Sequence, residues 1–81
     1  MKAFVYRSGR RADTYVWLAA RDGFERLPPA LAASLGSLTL VLEVELGAGR
    51  VLPREDARTV RANLAECGFH LQLPPPPETA T

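Results

Sequence analysis

The run Leu38-Thr39-Leu40-Val41-Leu42-Glu43-Val44-Glu45-Leu46 decides the fold. Leu38, Leu40, Leu42, Val44 and Leu46 recur at every second position, a period that places all five on one face of an extended strand. Thr39, Val41, Glu43 and Glu45 fall on the other face. No other stretch of the chain is so long and so regular. It reads as a scaffold strand with one buried face, on or beside which the remaining elements pack. It carries no chemistry of its own.

Upstream, Lys2 to Arg7 (K-A-F-V-Y-R) and Thr14 to Ala20 (T-Y-V-W-L-A-A) are rich in β-branched and aromatic residues. The polar, glycine-containing segment Ser8 to Asp13 joins them, so the pair reads as a β-hairpin. Tyr15 and Trp17 point to one side of the second strand and Val16 and Leu18 to the other. A sheet wet on one face alternates more cleanly, so both faces need cover near the hairpin. After a turn at Arg21 to Phe24, Pro28 and Pro29 mark a helix start. Ala30 to Leu35 continues it, and Gly36 stops it. Leu27, Leu31 and Leu35 form its apolar stripe.

Beyond Gly47-Ala48-Gly49, Pro53 is expected to open a second helix with Glu55 and Asp56 in its first turn. Ala57, Val60, Leu64 and Cys67 mark its apolar face, and Gly68 ends it. Phe69 to Leu73 alternates, with Phe69, Leu71 and Leu73 inward. Pro74 to Pro77 cannot extend a ladder, because proline lacks the N–H. The order ββαβαβ with short connections gives an α+β fold, a four-stranded mostly antiparallel sheet with packed helices, sandwich-like. Residues 1–77 are expected to form one domain and 78–81 a frayed tail.

The bulk numbers bound the function. With 81 residues the chain is one small domain, burying about 60% of the surface it exposes when unfolded. Ten Lys+Arg against nine Asp+Glu leave a net charge of +1, too balanced to predict nucleic-acid or membrane binding from charge alone. One cysteine rules out an intramolecular disulfide and suits a reducing compartment. The N-terminus lacks the apolar run of a signal peptide, and no segment is long enough to span a bilayer. The expectation is a cytoplasmic protein without membrane contact.

Tyr6-Arg7-Ser8, Thr14-Tyr15, Asp22-Gly23-Phe24, Arg26-Leu27-Pro28, Gly36 and above all Gly68-Phe69-His70-Leu71-Gln72-Leu73-Pro74-Pro75-Pro76 resemble the YcgL family of small bacterial proteins. The resemblance covers nearly the whole chain. It implies a compact α/β sandwich-like domain with no established activity, and, through genes commonly near that of ribonuclease D, an association with RNA metabolism. Three positions depart from the family pattern. His70 stands where an aromatic is usual, Cys67 is not usually cysteine, and the Gly47 to Val51 segment keeps only Arg50 of a more basic loop. The resemblance therefore implies no shared catalytic role for His70 and no shared thiol chemistry.

Individual candidates for chemistry are few. His70, the only histidine, is expected to face solvent beside Gln72, away from Phe69 and Leu71. It has no Cys/His cluster to make a metal site. Cys67 reads as a buried, inert thiol. Glu43 and Glu45 read as exposed charges on a wet face. Arg54, Arg58 and Arg61 can pair with them if the second helix lies over that face. No catalytic, metal or cofactor-binding residue is assigned.

The candidate interaction surface comprises Tyr6, Arg7, Arg10, Arg11, Tyr15, Trp17, Arg21, Arg26, Pro74, Pro75 and Pro76. Its arginines and aromatics suit phosphate contact and base stacking. Its prolines suit a polyproline II segment that docks on an aromatic groove or back on this domain. The expected function is a non-enzymatic interaction or accessory protein with a protein partner. Direct single-stranded nucleic-acid binding and a small enzyme with an unrecognised site are the alternatives.

Overall fold

A computed structural model describes residues 1–47, 52 and 55–74. Strands β1 (Lys2–Ser8) and β2 (Tyr15–Leu18) are followed by a single 3-10 turn (Phe24–Arg26) and helix α1 (Pro29–Leu35). Strand β3 (Leu38–Glu45), helix α2 (Ala57–Cys67) and strand β4 (Phe69–Gln72) complete the fold. The four strands form one antiparallel sheet in the order β3-β1-β2-β4. No described helix is long and apolar enough to cross a membrane.

The β1–β2 hairpin closes on Ser8. Its hydroxyl accepts from the Arg10 and Arg11 N–H groups at 3.3 and 3.0 Å and donates to the Leu35 carbonyl at 2.6 Å. One buried serine thus ties the hairpin turn to the end of α1. Asp13 takes the left-handed conformation this turn needs, which Asp tolerates better than most residues. At the other end, the Tyr6 hydroxyl accepts from the Asp22 N–H at 2.7 Å and donates to the Asp22 carboxylate at 3.0 Å. This holds Asp22 at a positive φ of 57°.

Each face of the sheet has its own core. Tyr6, Val16 and Leu18 meet Leu27 and Leu35 on the α1 side, with Leu31, Leu38, Leu40, Phe69 and Leu71 packed around them. Ala3, Val5, Trp17, Val44 and Leu46 meet Val60 and Leu64 of α2 on the other side. The doubly apolar hairpin is therefore covered on both faces, as its pattern requires. Helix α1 has only seven residues and would be marginal alone; burial of Leu35, with Leu31 partly buried beside it, holds it.

β3 departs from its one-face reading in two ways. Among the described residues it is an edge strand, paired only with β1. It also carries a bulge: Tyr6 pairs with Leu40 and Val5 with Leu42, so Val41 is the extra residue. One extra residue exchanges the faces of everything beyond it. Leu38 and Leu40 join the α1 core, while Val44 and Leu46 join the α2 core. Leu42, expected in the core, is 55% exposed. The unbroken alternation of the sequence thus serves two cores in turn.

α2 starts later than expected. Asp56 is its N-cap, accepting from the Arg58 N–H at 2.9 Å, and Glu55 lies before the helix. Pro53 lies outside the described residues, as do Pro75 to Thr81, including the expected domain end and frayed tail. Ala57, Val60 and Leu64 are buried as the spacing requires, but Cys67 is exposed. The last inward position belongs to Gly68, which is buried and left-handed at φ 84°. An added Cβ there would lie 2.9 Å from the Arg26 side chain.

Candidate functional site

His70 is not the solvent-facing residue its neighbour Gln72 suggested. Alternation along β4 does turn it away from Phe69 and Leu71, but α2 covers the face it enters, and only 8% of it is exposed. Its Nδ1 lies 2.9 Å from the Asn63 amide nitrogen on α2. Its Nε2 lies 2.6 Å from Glu55 Oε1, just upstream of that helix. The pairing with the Asn63 amide nitrogen assigns the Nε2–H tautomer, with Nδ1 accepting from Asn63 and Nε2–H donating to Glu55. Trp17, its cross-strand partner, stands edge-on to the imidazole with ring centroids 6.3 Å apart. The Trp17 indole N–H in turn donates to Gln72 Oε1 at 2.9 Å.

This array looks like a charge-relay constellation, yet its geometry does other work. A general base needs a free ring nitrogen within reach of a substrate proton, and both nitrogens here are engaged within the fold. No serine, threonine or cysteine hydroxyl or thiol contacts the ring among the described residues. The three side chains connect β4, α2 and the segment entering α2, and they act as a polar clasp between sheet and helix.

The carboxylates of β3 do not build a site either. Glu43 and Glu45 are exposed and pair across from Phe4 and Lys2, on the face opposite α2. Arg61 instead donates to the Gly47 carbonyl at 3.2 Å, and the N-terminal ammonium lies 3.6 Å from Glu45. Arg54 lies outside the described residues.

The hairpin surface divides. Tyr6 and Trp17 are 1% and 6% exposed, so neither ring offers a face to a base. Burial of Tyr6 also pushes its phenol above the ordinary value; the Asp22 N–H opposes this, and the Asp22 carboxylate adds to it. Tyr15 is half-buried against the α2 core, with exposed Arg7 opposite it on β1. Arg10 and Arg11 stand at the hairpin turn, with the Arg10 stem against Gly36. Arg21 and Arg26 stand at the opposite end of β2, with the Arg26 stem against Gly68. The length of β2 separates the two groups. Pro74 is exposed, and Pro75 and Pro76 lie outside the described residues.

What the fold does bring together is a groove of about 250 Å³ between α1 and β4. Leu31, Ser34 and Leu35 line one wall, Leu71 and Leu73 the other, and Thr14 and Arg11 close one end. Leu73, expected inward, is 61% exposed at its rim. Of the candidate surface residues that are described, only Arg11 lines the groove, and Pro74 follows Leu73 directly. The groove leucines were legible as core candidates but not as a surface, because α1 and β4 are remote in sequence. A second hollow of about 220 Å³, lined by Ala19, Ala20, Glu25, Arg26, Leu64, Ala65 and Gly68, lies at the opposite end.

The YcgL domain model matches residues 3–75 of this chain. The chain belongs to the YcgL family. Similar YcgL domain-containing proteins include one from Stenotrophomonas maltophilia, 49% identical over 75 residues that cover 93% of this chain and 87% of the relative. One from Xanthomonas euvesicatoria is 53% identical over 74 residues, covering 91% and 86%. One from Thioalkalivibrio sulfidiphilus is 47% identical over 75 residues, covering 93% of each. The YcgL match spans both cores, the polar clasp and the groove, and brings no assigned activity with it.

Proposed function

We propose that this YcgL domain is a non-enzymatic interaction module, an accessory protein that holds a protein partner in the α1–β4 groove. The observation that carries the reading is the groove itself: leucine-lined, rimmed by the exposed Leu73 and closed at one end by Arg11. Concave apolar surface with a few placed polar groups is where small domains bind. The locked imidazole of His70 supports the non-enzymatic part. The division of the arginines between two ends of the sheet, with Tyr6 and Trp17 inside it, favours a protein over a nucleic acid, which needs a basic track with stacking faces.

A photo-crosslinking side chain placed at Ser34 or at Leu73 in cells of the source type tests this. Both positions are expected to give the same discrete adduct, resistant to nuclease, while the same group at Glu43 gives none. Adducts that are equal at all three positions, or that nuclease removes, would refute it.

A further inference from the structure

The groove lies beside a strand edge, and that edge suggests how a partner binds. β4 pairs with β2 alone, so its outer edge meets no other strand among the described residues. The phase of the ladder shows which groups face outward. Ala19 N–H donates to the Gly68 carbonyl at 3.2 Å, and the register continues through Leu18–Phe69, Trp17–His70, Val16–Leu71 and Tyr15–Gln72. In an antiparallel pair, hydrogen-bonded and non-hydrogen-bonded positions alternate. His70 and Gln72 therefore turn their backbone groups towards β2, and Phe69 and Leu71 turn theirs away. Leu71 is also a groove wall residue. Its backbone N–H and C=O point outward at the place where its side chain borders an apolar hollow.

A strand added against β4 would satisfy these groups, and residues directly opposite each other share a sheet face. A residue opposite Leu71 would send its side chain into the groove beside Leu31 and Ser34. A residue opposite Leu73 would send its side chain to the same face at the end where Arg11 stands. Arg11 makes no ion pair with any described residue, so a carboxylate suits that position. The remaining strands are all antiparallel, the more stable pairing per residue.

Resting on the groove as the contact surface, we propose that the partner is an extended peptide added antiparallel to β4. It carries a large apolar residue opposite Leu71 and an acidic residue two positions earlier, opposite Leu73 and beside Arg11. Alternate side chains give the specificity, and the β4 backbone gives the generic part of the affinity.

Two acetylated, amidated hexapeptides with Glu-Thr-Leu or Leu-Thr-Glu at their centre provide the probe, titrated into the 15N-labelled protein. The Glu-Thr-Leu peptide is expected to shift the Phe69, Leu71, Leu73 and Arg11 amides and to bind more tightly than its reversal. N-methylation of its leucine, whose N–H faces β4, is expected to weaken binding at least about tenfold. N-methylation of its threonine, whose N–H faces outward, leaves binding within about twofold. Arg11→Glu, an exposed change that the fold tolerates, is expected to weaken binding at least about tenfold as well.

Equal effects of the two methylations, no effect of Arg11→Glu, or no shifts at all would overturn strand addition. So would concentration-dependent shifts of Phe69 to Leu73 in the free protein, which place a second copy on this edge, or contacts between the groove leucines and residues 75–81. Crosslinking at Ser34 and Leu73 without β4 amide involvement leaves the interaction module standing and removes only this mode of binding.

Discussion

Replacing His70 by leucine tests whether the clasp between β4 and α2 is structural. The substitution keeps an apolar side chain of similar reach under α2 and removes two hydrogen bonds. One joins neutral groups, from Asn63 at 2.9 Å; the other runs to the Glu55 carboxylate at 2.6 Å. A neutral bond contributes about 0.5–1.5 kcal/mol and one to a charged group about 1.5–3. Glu55 and Asn63 are half-buried and regain some water once the ring is gone, which trims the sum. A net loss of about 2–3 kcal/mol follows. For a domain of this size that is a fall in Tm of roughly 10–20 °C. A solvent-facing histidine would change stability by no more than about 0.5 kcal/mol. Trp17, the only tryptophan, stands edge-on to the ring and supplies the signal, so urea unfolding followed by its fluorescence is the assay. A double-mutant cycle with Asn63→Ala separates the neutral bond from the rest. A His70→Leu variant within about 0.5 kcal/mol of the parent, at unchanged m-value, would falsify the clasp.

Gly68→Ala is expected to cost about 1–2 kcal/mol, from the left-handed cap and the crowding of the Arg26 stem; urea midpoints check it, and a neutral result contradicts the cap. Leu35→Ala should lose about 2–5 kcal/mol and Leu42→Ala less than about 0.5, by the same measurement; a loss at Leu42 as large as that at Leu35 would mean that Leu42 is buried and would contradict the exposed position that β3 gives it. The raised phenol of Tyr6 sets an alkaline limit. Above about pH 10 the unfolded chain gives up the Tyr6 proton while the folded chain keeps it, so stability is complete below that pH and falls as pH rises towards the folded value. Tyr6→Phe should flatten this part of the stability–pH curve while costing about 1–3 kcal/mol at neutral pH, since it removes both bonds to Asp22; an unchanged alkaline slope would count against the assignment.

Local signals carried most of the fold. The hairpin is legible in its two β-branched and aromatic runs and the polar segment Ser8 to Asp13, α1 in Pro28, Pro29 and Gly36, and the end of α2 in Gly68. The start of α2 is not, because the N-cap is Asp56, and Glu55 and Asp56 precede the helix instead of forming its first turn. The bulge at Val41 left no mark, because alternation continues unbroken through it; only the pairing of Val5 and Tyr6 from another strand reveals it. His70 was placed on the correct face, but its burial depends on α2 docking there, a contact between elements and not a property of β4. Cys67 shows the same limit: the helical stripe was right to within one residue, and Gly68 holds the final inward place. The candidate surface drew on residue type, and type does not say that Tyr6 and Trp17 lie inside two different cores. The groove was least legible of all, since it exists only where α1 and β4 meet.

The bulge in β3 also bears on solubility. A long edge strand with exposed Val41 and Leu42 is the kind of template on which sheets stack edge to edge. An extra residue at mid-strand breaks the regular spacing of its free N–H and C=O groups. The exposed Glu43 and Glu45 then put negative charge beside the break. A second molecule approaching this edge meets a kinked ladder and like charge. Among the described residues, the short β4 is left as the edge that a regular strand can extend. The same irregularity that lets one run of leucines serve two cores thus blunts one edge of the sheet against self-association.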